Sequence, residues 1–532
     1  MHRCSKAGRV VRNALDGIEL EILWSNLIGI VTERAKALQR IAFSPIVREA
    51  GDLACALFDR RGRMVAQANT GTPGHINSLA FAGAHLSRIF NNRIEPGDVL
   101  ITNDPWLSAG HFFDITVLTP IYDGDTLLAY IGSTIHHTDI GGYGIGAGAR
   151  DVHEEGLYIP PLKLYDRGVP NEVLHAIIRS NVRTPDAVFG DLAAQVSSGQ
   201  AASDRLIAMC RRHHMPDIEG LSDDIINRSE EATRSEIRKF KAGTYLGESQ
   251  FDVPGGQIIT LKTAVTVDAS AGEITIDFEG SSMQATTGIN VVLNYTHAYS
   301  TFAVRSCLNP DLPNNTGSLA PIKVVAPEGS IINCKYPAPV NARHVVGMYV
   351  PMPILKALYQ VMPDRVLAEG SGAVWTMQIQ GRREDGEPFT SSMFNYSGGM
   401  GARATKPGPS ATCYPTGVAA VPIEILEATM PIVFDRKELR IGSGGAGHMR
   451  GGEGQSIEFH MRTRDQWLLN AVPSRLEAGP DGIGGGKSGA AGKFQVNGKS
   501  VSEARKLTME PGDVVLLETP GGGGYGPPSG IK

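Results

Sequence analysis

The 532-residue sequence lacks long apolar runs and has no excess of positive charge. No stretch approaches the roughly 18 consecutive apolar residues that a membrane-spanning helix needs. The 50 lysines and arginines are balanced by 55 aspartates and glutamates, which leaves a formal net charge of −5. Nucleic acids and anionic membranes attract basic surfaces, so this balance argues against both as partners. We therefore expect a protein that binds neither nucleic acid nor membrane.

Cysteine is scarce, and the six cysteines show no C-x-x-C spacing. They stand at positions 4, 55, 210, 307, 334 and 413. This pattern argues against a zinc ribbon, a thioredoxin-type motif and a dense disulfide framework. The amino terminus carries basic residues but no apolar run after them, so the sequence predicts no secretory signal. These observations favour free thiols in a soluble cytoplasmic protein.

A phosphate-binding loop is also missing, although residues 482–488 look similar to one. The motif requires glycine at position 481, where the sequence has Asp481. Such a loop must also lead into a helix, whereas Phe494-Gln495-Val496 has the character of a strand. We interpret the segment as turns in a β-rich region and expect any ATP that the protein uses to be held by another chain.

Helical and β patterns are both present, and together they predict an α+β fold. A chain of this length usually forms about two to four domains. Apolar residues recur at helical spacing over residues 18–39 and 76–90, and residues 170–245 are rich in helical pattern, with Asn171 as a cap. Alternation predicts strands after residue 243, and glycine and proline dominate beyond 400. We predict a helix-rich α+β domain over 1–245, a mixed α/β domain over 246–400 and a glycine-rich β domain over 401–532.

Two neighbouring segments are predicted to form a β-hairpin. Residues 115–119 and 127–131 have strand character, and Tyr122-Asp123-Gly124-Asp125 supplies the turn between them. Asp114 opens the first strand, and His136-His137-Thr138-Asp139 ends the second. Because residues two apart in a strand share a face, we expect His137 and Asp139 to point together and His136 to point the other way.

Histidines and aspartates are densest around this hairpin, where the sequence has Asp104, His111, Asp114, His136, His137, Asp139 and His153. If the hairpin forms, His111, Asp114 and one or two of the later side chains converge, and the small residues before His111 let the backbone approach a bound ion. Imidazole and carboxylate ligands suit zinc, manganese or iron, and an open coordination position lets such an ion acidify a water or polarise a carbonyl. Ordinary turns and hydrogen bonds explain the same residues, so spacing alone leaves both interpretations open.

A set of motifs runs in order through nearly the whole chain, from about residue 18 to 526. It includes Asn103-Asp104-Pro105, Gly110-His111 with Asp114-Ile115-Thr116, His136-His137-Thr138-Asp139-Ile140-Gly141-Gly142, Glu155-Gly156-Leu157-Tyr158, Ser443-Gly444-Gly445-Ala446-Gly447 and Thr519-Pro520-Gly521-Gly522-Gly523-Gly524-Tyr525-Gly526. In this order the motifs resemble the hydantoinase B/oxoprolinase family. Members of that family are B-type subunits of ATP-dependent hydantoinases, oxoprolinases and a lactamase, and related chains occur in ketone carboxylases.

The resemblance implies a B-type subunit that works with an A-type partner in a hetero-oligomer, usually an α2β2 heterotetramer or larger. The partner binds ATP and phosphorylates the carbonyl oxygen of the substrate, while the B-type chain holds a divalent metal and completes the reaction. On this sequence the family's metal site corresponds to His111, Asp114 and His137, with His136 and Asp139 as further candidates.

Our leading hypothesis from the sequence is an ATP-dependent hydrolase of a cyclic amide, such as a hydantoin or a lactam. Metal-activated water attacks the activated carbon, and Asp104 or Asp139 accepts the proton. One alternative is a subunit of an ATP-dependent ketone carboxylase. Another is a non-catalytic scaffold for the ATP-binding chain.

Overall fold

The computed structural model describes residues 17–372, 374–502 and 506–528. Cys4 and the basic amino-terminal segment lie outside these residues. The other five cysteines are buried and form no disulfide with one another, so the prediction of free thiols is confirmed for them. Within the same three ranges, no helix combines the length and the apolar character that crossing a membrane requires.

Helices and strands are mixed along the chain, which confirms the predicted α+β class. The α-helices, α1 to α11, span Gly17–Ile41, Pro45–Arg48, Pro73–Ile89, Glu172–Asn181, Pro185–Arg212, Glu219–Ile237, Leu293–Leu308, Thr316–Leu319, His344–Gly347, Pro351–Tyr359 and Ile423–Thr429. The strands, β1 to β20, span Leu53–Phe58, Met64–Gln67, Val99–Thr102, Asp114–Asp123, Thr126–His136, Leu162–Asp166, Val169–Pro170, Gly243–Asp252, Ile258–Asp268, Glu273–Asp277, Ile322–Val325, Val374–Arg382, Pro388–Ser397, Ile432–Arg440, Gly454–Met461, Trp467–Ala471, Lys493–Val496, Lys499–Ser500, Leu507–Met509 and Val514–Glu518. Two short 3-10 helices span Val152–Glu154 and Pro363–Arg365.

A seven-stranded antiparallel sheet, ordered β2-β1-β5-β4-β3-β6-β7, forms the amino-terminal part. Alternate residues of β1 face different helices, because Cys55 and Leu57 share a core with α1 whereas Ala56 and Phe58 share one with α3. Because helices cover both faces of the sheet, every residue of β1 is buried. The helices predicted over 18–39 and 76–90 correspond to α1 and α3.

Strands β4 and β5 form the predicted hairpin. Their pairing shifts by one residue between Ile121 and Tyr122, where a β-bulge leaves Leu128 opposite no residue of β4. Beyond the bulge, Asp114 pairs directly with His136. Directly opposed residues share a face of the sheet, so the bulge decides which histidine lies beside Asp114.

A second sheet, ordered β11-β10-β9-β8, packs against α10. Its strand β8 begins at Gly243, so the domain boundary predicted between residues 245 and 246 falls inside a strand. The largest hydrophobic core includes residues from Val99 to Val472 and therefore crosses both predicted boundaries. The division into three domains stays a prediction.

Two further antiparallel sheets form the carboxy-terminal part, with the orders β13-β12-β16-β19 and β14-β15-β20-β17-β18. Residues of both sheets, including Trp375, Trp467 and Phe459, share one core. Strands thus dominate the glycine-rich region beyond residue 400, as the sequence predicted.

Glycine-rich segments lie beside these sheets and pack against one another through their backbones. The Gly522 amide donates to the Gly452 carbonyl at 2.9 Å, and the Gly522 carbonyl accepts from the Gly445 amide at 2.8 Å. A Cβ atom on Gly522 would lie 2.0 Å from the Met400 carbonyl oxygen, so no side chain fits there. Residues 482–488 belong to the same packing, and the next element is the strand β17 rather than a helix.

Glu369 is a buried carboxylate that joins three parts of the chain. It accepts hydrogen bonds from Ser249 at 2.6 Å and from Arg475 at 2.5 Å, and Lys356 Nζ lies 2.8 Å from its Oε1. Burial on its own raises the pKa of Glu369, but Arg475 and Lys356 outweigh burial and lower that pKa to about 2. The carboxyl is therefore ionised at neutral pH and stabilises the fold.

We expect the free energy of unfolding to fall as the pH drops from about 4.5 towards 2. Unfolding returns the pKa of Glu369 to its ordinary value of 4.5, so the unfolded chain takes up the proton first. The lowered pKa corresponds to about 3 kcal/mol of stability above that range. Glu369→Gln should destabilise the protein by about 3–5 kcal/mol at neutral pH, because Arg475 stays buried without its counter-charge, and should flatten the acid dependence. Urea unfolding between about pH 3 and 7 measures both effects, and an unchanged acid slope in the variant would contradict the assignment.

Candidate metal centre

Asp114 lies at the centre of a group of buried side chains. Its Oδ1 lies 2.8 Å from His111 Nε2 and 3.0 Å from His136 Nδ1. Its Oδ2 lies 2.7 Å from His75 Nε2 and contacts the Arg343 guanidinium. Burial on its own raises the pKa of Asp114, but the positive charges of His75 and Arg343 at Oδ2 outweigh burial and hold that pKa well below its usual range. The carboxyl is therefore ionised.

His111 presents an unprotonated nitrogen to this carboxylate. Its Nδ1 lies 3.0 Å from the Asn341 carbonyl oxygen, which can only accept, so Nδ1 carries the hydrogen and Nε2 carries a lone pair. Burial, followed by the charge of Arg343, lowers the pKa of His111 to about 3, so the ring is neutral. The Nε2 lone pair thus faces a charged Asp114 oxygen at 2.8 Å. Two acceptors repel each other at this distance, and a cation bound to both removes the repulsion.

His111, Asp114 and His136 are placed to share one metal ion. One ligand atom from each lies within 4.8 Å of the other two. Two imidazoles and a carboxylate suit divalent zinc, manganese or iron and leave coordination positions open. These three residues therefore fit the divalent metal that the sequence predicts.

Glu155 holds the backbone that orients His111. Its Oε1 accepts hydrogen bonds from the amides of Val340 at 2.8 Å and Asn341 at 2.7 Å. The carbonyl of the same Asn341 receives the His111 Nδ1 hydrogen. Burial raises the pKa of Glu155 to about 8, so this carboxyl is mostly protonated at neutral pH. A second layer of hydrogen bonds thus orients the ring of His111.

Arg343 completes the group of side chains around Asp114, although it lies 229 residues further along the chain. Its Nε donates to the Ala109 carbonyl, and its guanidinium carbon lies 4.2 Å from the centre of the Tyr295 ring. Gly110, at φ +93°, lets this side chain pass, since a Cβ there would lie 2.7 Å from Arg343 Cδ. The small residues before His111 therefore admit the arginine, whereas the sequence led us to expect them to admit the ion.

His75 connects Asp114 to a second carboxylate, that of Asp52. Its Nδ1 lies 3.2 Å from Asp52 Oδ1, on the opposite side of the ring from Asp114. Burial on its own lowers the pKa of His75, but Asp114 and Asp52 outweigh burial and raise it. The two carboxylates therefore favour the positive form of the ring over the neutral form.

These side chains line a cavity of about 40 Å³ to which several distant parts of the chain contribute. His136 ends β5 and His111 lies in the loop before β4, whereas Arg343 and His344 lie at the start of α9 and Thr376 lies in β12. A cavity of this size holds an ion with a few water-sized groups. Any group that binds there therefore meets several charged side chains.

The structure does not bring His137 or Asp139 to this cavity. His137 follows His136 and points to the opposite face of the sheet, where its Nε2 lies 3.4 Å from Gln195 Oε1 on α5. Asp139 is buried and lies 2.9 Å from Arg183. His137 and Asp139 therefore do not share the environment of His111, and the metal-binding and proton-accepting roles assigned to them stay predictions.

Asp104 and His153 line a different cavity. Asp104 accepts a hydrogen bond from the Tyr158 hydroxyl at 2.6 Å. Its role as proton acceptor likewise stays a prediction. His75, His344 and Arg343, which do surround the cluster, were not among the candidates from the sequence, because they come from distant segments and no spacing links them to His111.

The chain shares its sequence pattern with known proteins over almost its whole length. The family model for Hydantoinase B/oxoprolinase matches residues 16–528. A protein of Pseudomonas sp. strain NS671, named as the candidate B-type subunit of a D-/L-hydantoinase, is 30% identical over 543 residues, which cover 97% of this chain and 90% of that protein.

Two solved structures are similar to this fold. The ATP-dependent caprolactamase from Pseudomonas jessenii matches with a TM-score of 0.87 at 25% identity, over 97% of this chain and 92% of that one. Nucleotide-free acetone carboxylase matches with a TM-score of 0.87 at 18% identity, over 96% of this chain and 75% of that one. The matched segment contains the hairpin and the three residues gathered at its open end. The chain therefore belongs to the hydantoinase B/oxoprolinase family.

Proposed function

We propose that this chain is the metal-binding, B-type subunit of an ATP-dependent enzyme that hydrolyses a cyclic amide. The observation that carries the proposal is the neutral His111 Nε2 that faces the ionised Asp114 at 2.8 Å, with His136 beside them. The names of two similar proteins, an ATP-dependent caprolactamase and one component of a hydantoinase, support the class of substrate.

His111, Asp114 and His136 are the residues that would hold a divalent zinc, manganese or iron ion. Such an ion, when bound, acts as a Lewis acid toward a carbonyl oxygen and lowers the pKa of water. Arg343 keeps Asp114 ionised and in place, and Glu155 keeps the unprotonated nitrogen of His111 turned toward it. The chain thus prepares the ligands before the substrate arrives.

Asp52 is our candidate for the group that accepts a proton from the attacking water. It lines the same cavity as His111 and His136, and its Oδ1 lies 3.2 Å from His75 Nδ1. The proton-accepting group must lie within hydrogen-bonding reach of the reacting water. Asp52 meets this requirement better than Asp104 or Asp139, neither of which lines the cavity of the cluster.

We expect ATP to be bound by an A-type partner, with an α2β2 hetero-oligomer as the simplest assembly. The glycine-rich residues 482–488 are packed against other backbone segments and lead into a strand, so they do not resemble a phosphate-binding loop. The partner would activate the amide by phosphorylation, and this chain would complete the hydrolysis.

The test is an ATP-dependent hydrolysis assay of the complex formed with the copurifying ATP-binding chain, using a hydantoin, 5-oxoproline and caprolactam. We expect His111→Ala to lose its metal and to lower turnover by more than about 100-fold, because one of three ligands is removed. His448→Ala, which alters an exposed histidine, is the control and should behave as the unaltered protein. Retained metal and unchanged turnover in His111→Ala would favour the scaffold interpretation and contradict the proposal.

The same complex tests the alternative that the chain is a carboxylase subunit. We retain this alternative because the fold is similar to that of acetone carboxylase. A ketone carboxylase needs bicarbonate or carbon dioxide for product formation, whereas a cyclic amide hydrolase needs neither. Strict bicarbonate dependence with a ketone substrate would overturn the hydrolase assignment.

A further inference from the structure

A second cavity, of about 280 Å³, lies beside the hairpin and shares no lining residue with the metal cavity. Four aromatic side chains line it, namely Trp106, Phe112, Tyr158 and Tyr336. Asp104 is the carboxylate among its lining residues, and no lysine or arginine lines it among the residues that the structure describes. A concave and mostly apolar site with a few placed polar groups is typical of a small-ligand pocket.

The aromatic rings are held in place by one another and by hydrogen bonds. Trp106 Nε1 donates to the Cys334 carbonyl at 3.1 Å. The Trp106 and Tyr336 rings pack edge to face, with their centres 5.5 Å apart. The Phe112 and Tyr158 rings stack with their centres 5.6 Å apart. Because the rings are already oriented, a ligand that binds among them does not have to order them first.

Asp104 keeps acceptor capacity for a ligand. Its Oδ1 accepts from the Trp106 amide at 2.9 Å, and its Oδ2 accepts from the Tyr158 hydroxyl at 2.6 Å. Each carboxylate oxygen can accept more than one hydrogen bond. Among the described residues, no lysine, arginine or histidine forms an ion pair with Asp104, and His153, which also lines the cavity, has its Nε2 3.2 Å from the Tyr336 hydroxyl instead.

Two of the rings are unusually exposed for aromatic side chains. Tyr336 is 59% exposed and Tyr158 is 44% exposed, so each presents a large part of its surface to solvent. An exposed aromatic surface of this kind commonly marks a site of interaction. Both rings therefore keep surface open to a ligand.

We propose that this aromatic cavity binds an organic cation, of the alkylammonium or guanidinium class. Aromatic faces attract such cations through their quadrupoles, and a carboxylate at the edge of the cavity adds a direct charge interaction. An anion would meet the charge of Asp104 without compensation, and a neutral apolar ligand would leave that charge desolvated. The proposal does not depend on the proposed hydrolase activity.

The test is isothermal titration calorimetry of the full chain with choline, with methylguanidinium and with 3,3-dimethylbutan-1-ol, the uncharged isostere of choline. We expect at least one of the two cations to bind at least about tenfold more tightly than the alcohol. Asp104→Asn and Tyr336→Leu should each weaken binding of that cation by about tenfold, and Asp104→Asn should leave binding of the alcohol unchanged. Phe43→Leu, which alters an exposed ring outside the cavity, is the control.

Several outcomes have a definite meaning. The proposal would be overturned if neither cation bound more tightly than the alcohol, or if cation binding survived both substitutions. Competition between the cation and the purified ATP-binding partner would identify a partner side chain as the natural ligand, and its absence would favour a small molecule. Because Tyr336 is mostly exposed, an unchanged thermal midpoint in Tyr336→Leu excludes unfolding as the cause of weaker binding.

Discussion

Asp114→Asn is expected to remove the bound metal and to lower the free energy of unfolding by about 3–5 kcal/mol. The substitution keeps the shape of the side chain but removes the charge that Arg343 and His75 both face. Arg343 then remains buried without its counter-charge, and one of three metal ligands is lost. Metal content of the purified chain and urea unfolding of the metal-free protein measure the two effects separately.

Asp123→Asn is the matched control for this experiment, because Asp123 lies at the other end of the same strand. Its partner Arg211 is 69% exposed, and exposed ion pairs contribute at most about 1 kcal/mol. The control should keep its metal and nearly all of its stability. If Asp114→Asn matched the control in both measurements, neither the metal site nor the buried charge network would stand.

Gly522→Ala is expected to destabilise the protein by at least about 3 kcal/mol or to prevent its soluble expression. The added Cβ would lie 2.0 Å from the Met400 carbonyl oxygen and 2.4 Å from the Met400 carbonyl carbon. Backbone atoms cannot rotate away as a side chain does, so two hydrogen-bonded segments must separate. Solubility and the urea midpoint measure the result.

Gly29→Ala distinguishes this packing effect from a general cost of replacing glycine. Gly29 lies within α1, and apart from the neighbouring backbone of that helix no described atom lies within 4 Å of a Cβ built on it. Alanine has the higher helix propensity, so we expect this variant to gain up to about 1 kcal/mol. A Gly522→Ala variant as stable as Gly29→Ala would show that the backbone segments are not packed as described.

Local patterns predicted much of the fold because neighbours in the sequence decide them. The helical spacing of residues 18–39 corresponds to α1, and the Asn171 side chain caps α4 by accepting from the Leu174 amide, as predicted. The turn residues around Gly124 also identified the hairpin correctly. The glycine-rich region was predicted as turns between strands, but its close backbone packing depends on segments far apart in the sequence.

Local patterns could not predict the partners of Asp114. In the sequence, His75 lies 39 residues from Asp114 and Arg343 lies 229 residues from it. The periodicity of a strand or helix relates only residues within one element, so it predicts neither contact. Both reach the site only because α3 and the segment before α9 pack against the open end of the hairpin. Their contribution is electrostatic, and a charge carries no periodic signal.

By itself, the sequence determined the class of the fold, the hairpin and the presence of imidazole and carboxylate groups at its open end, because these depend on periodicity and composition. Only the tertiary structure decided which histidine joins Asp114. A simple hairpin closed at Asp123 and Thr126 would place Asp114 opposite Ile135 and put His137 on its face. The extra residue at Leu128 moves the register by one, and since successive side chains of a strand point to opposite faces, His136 takes that place instead.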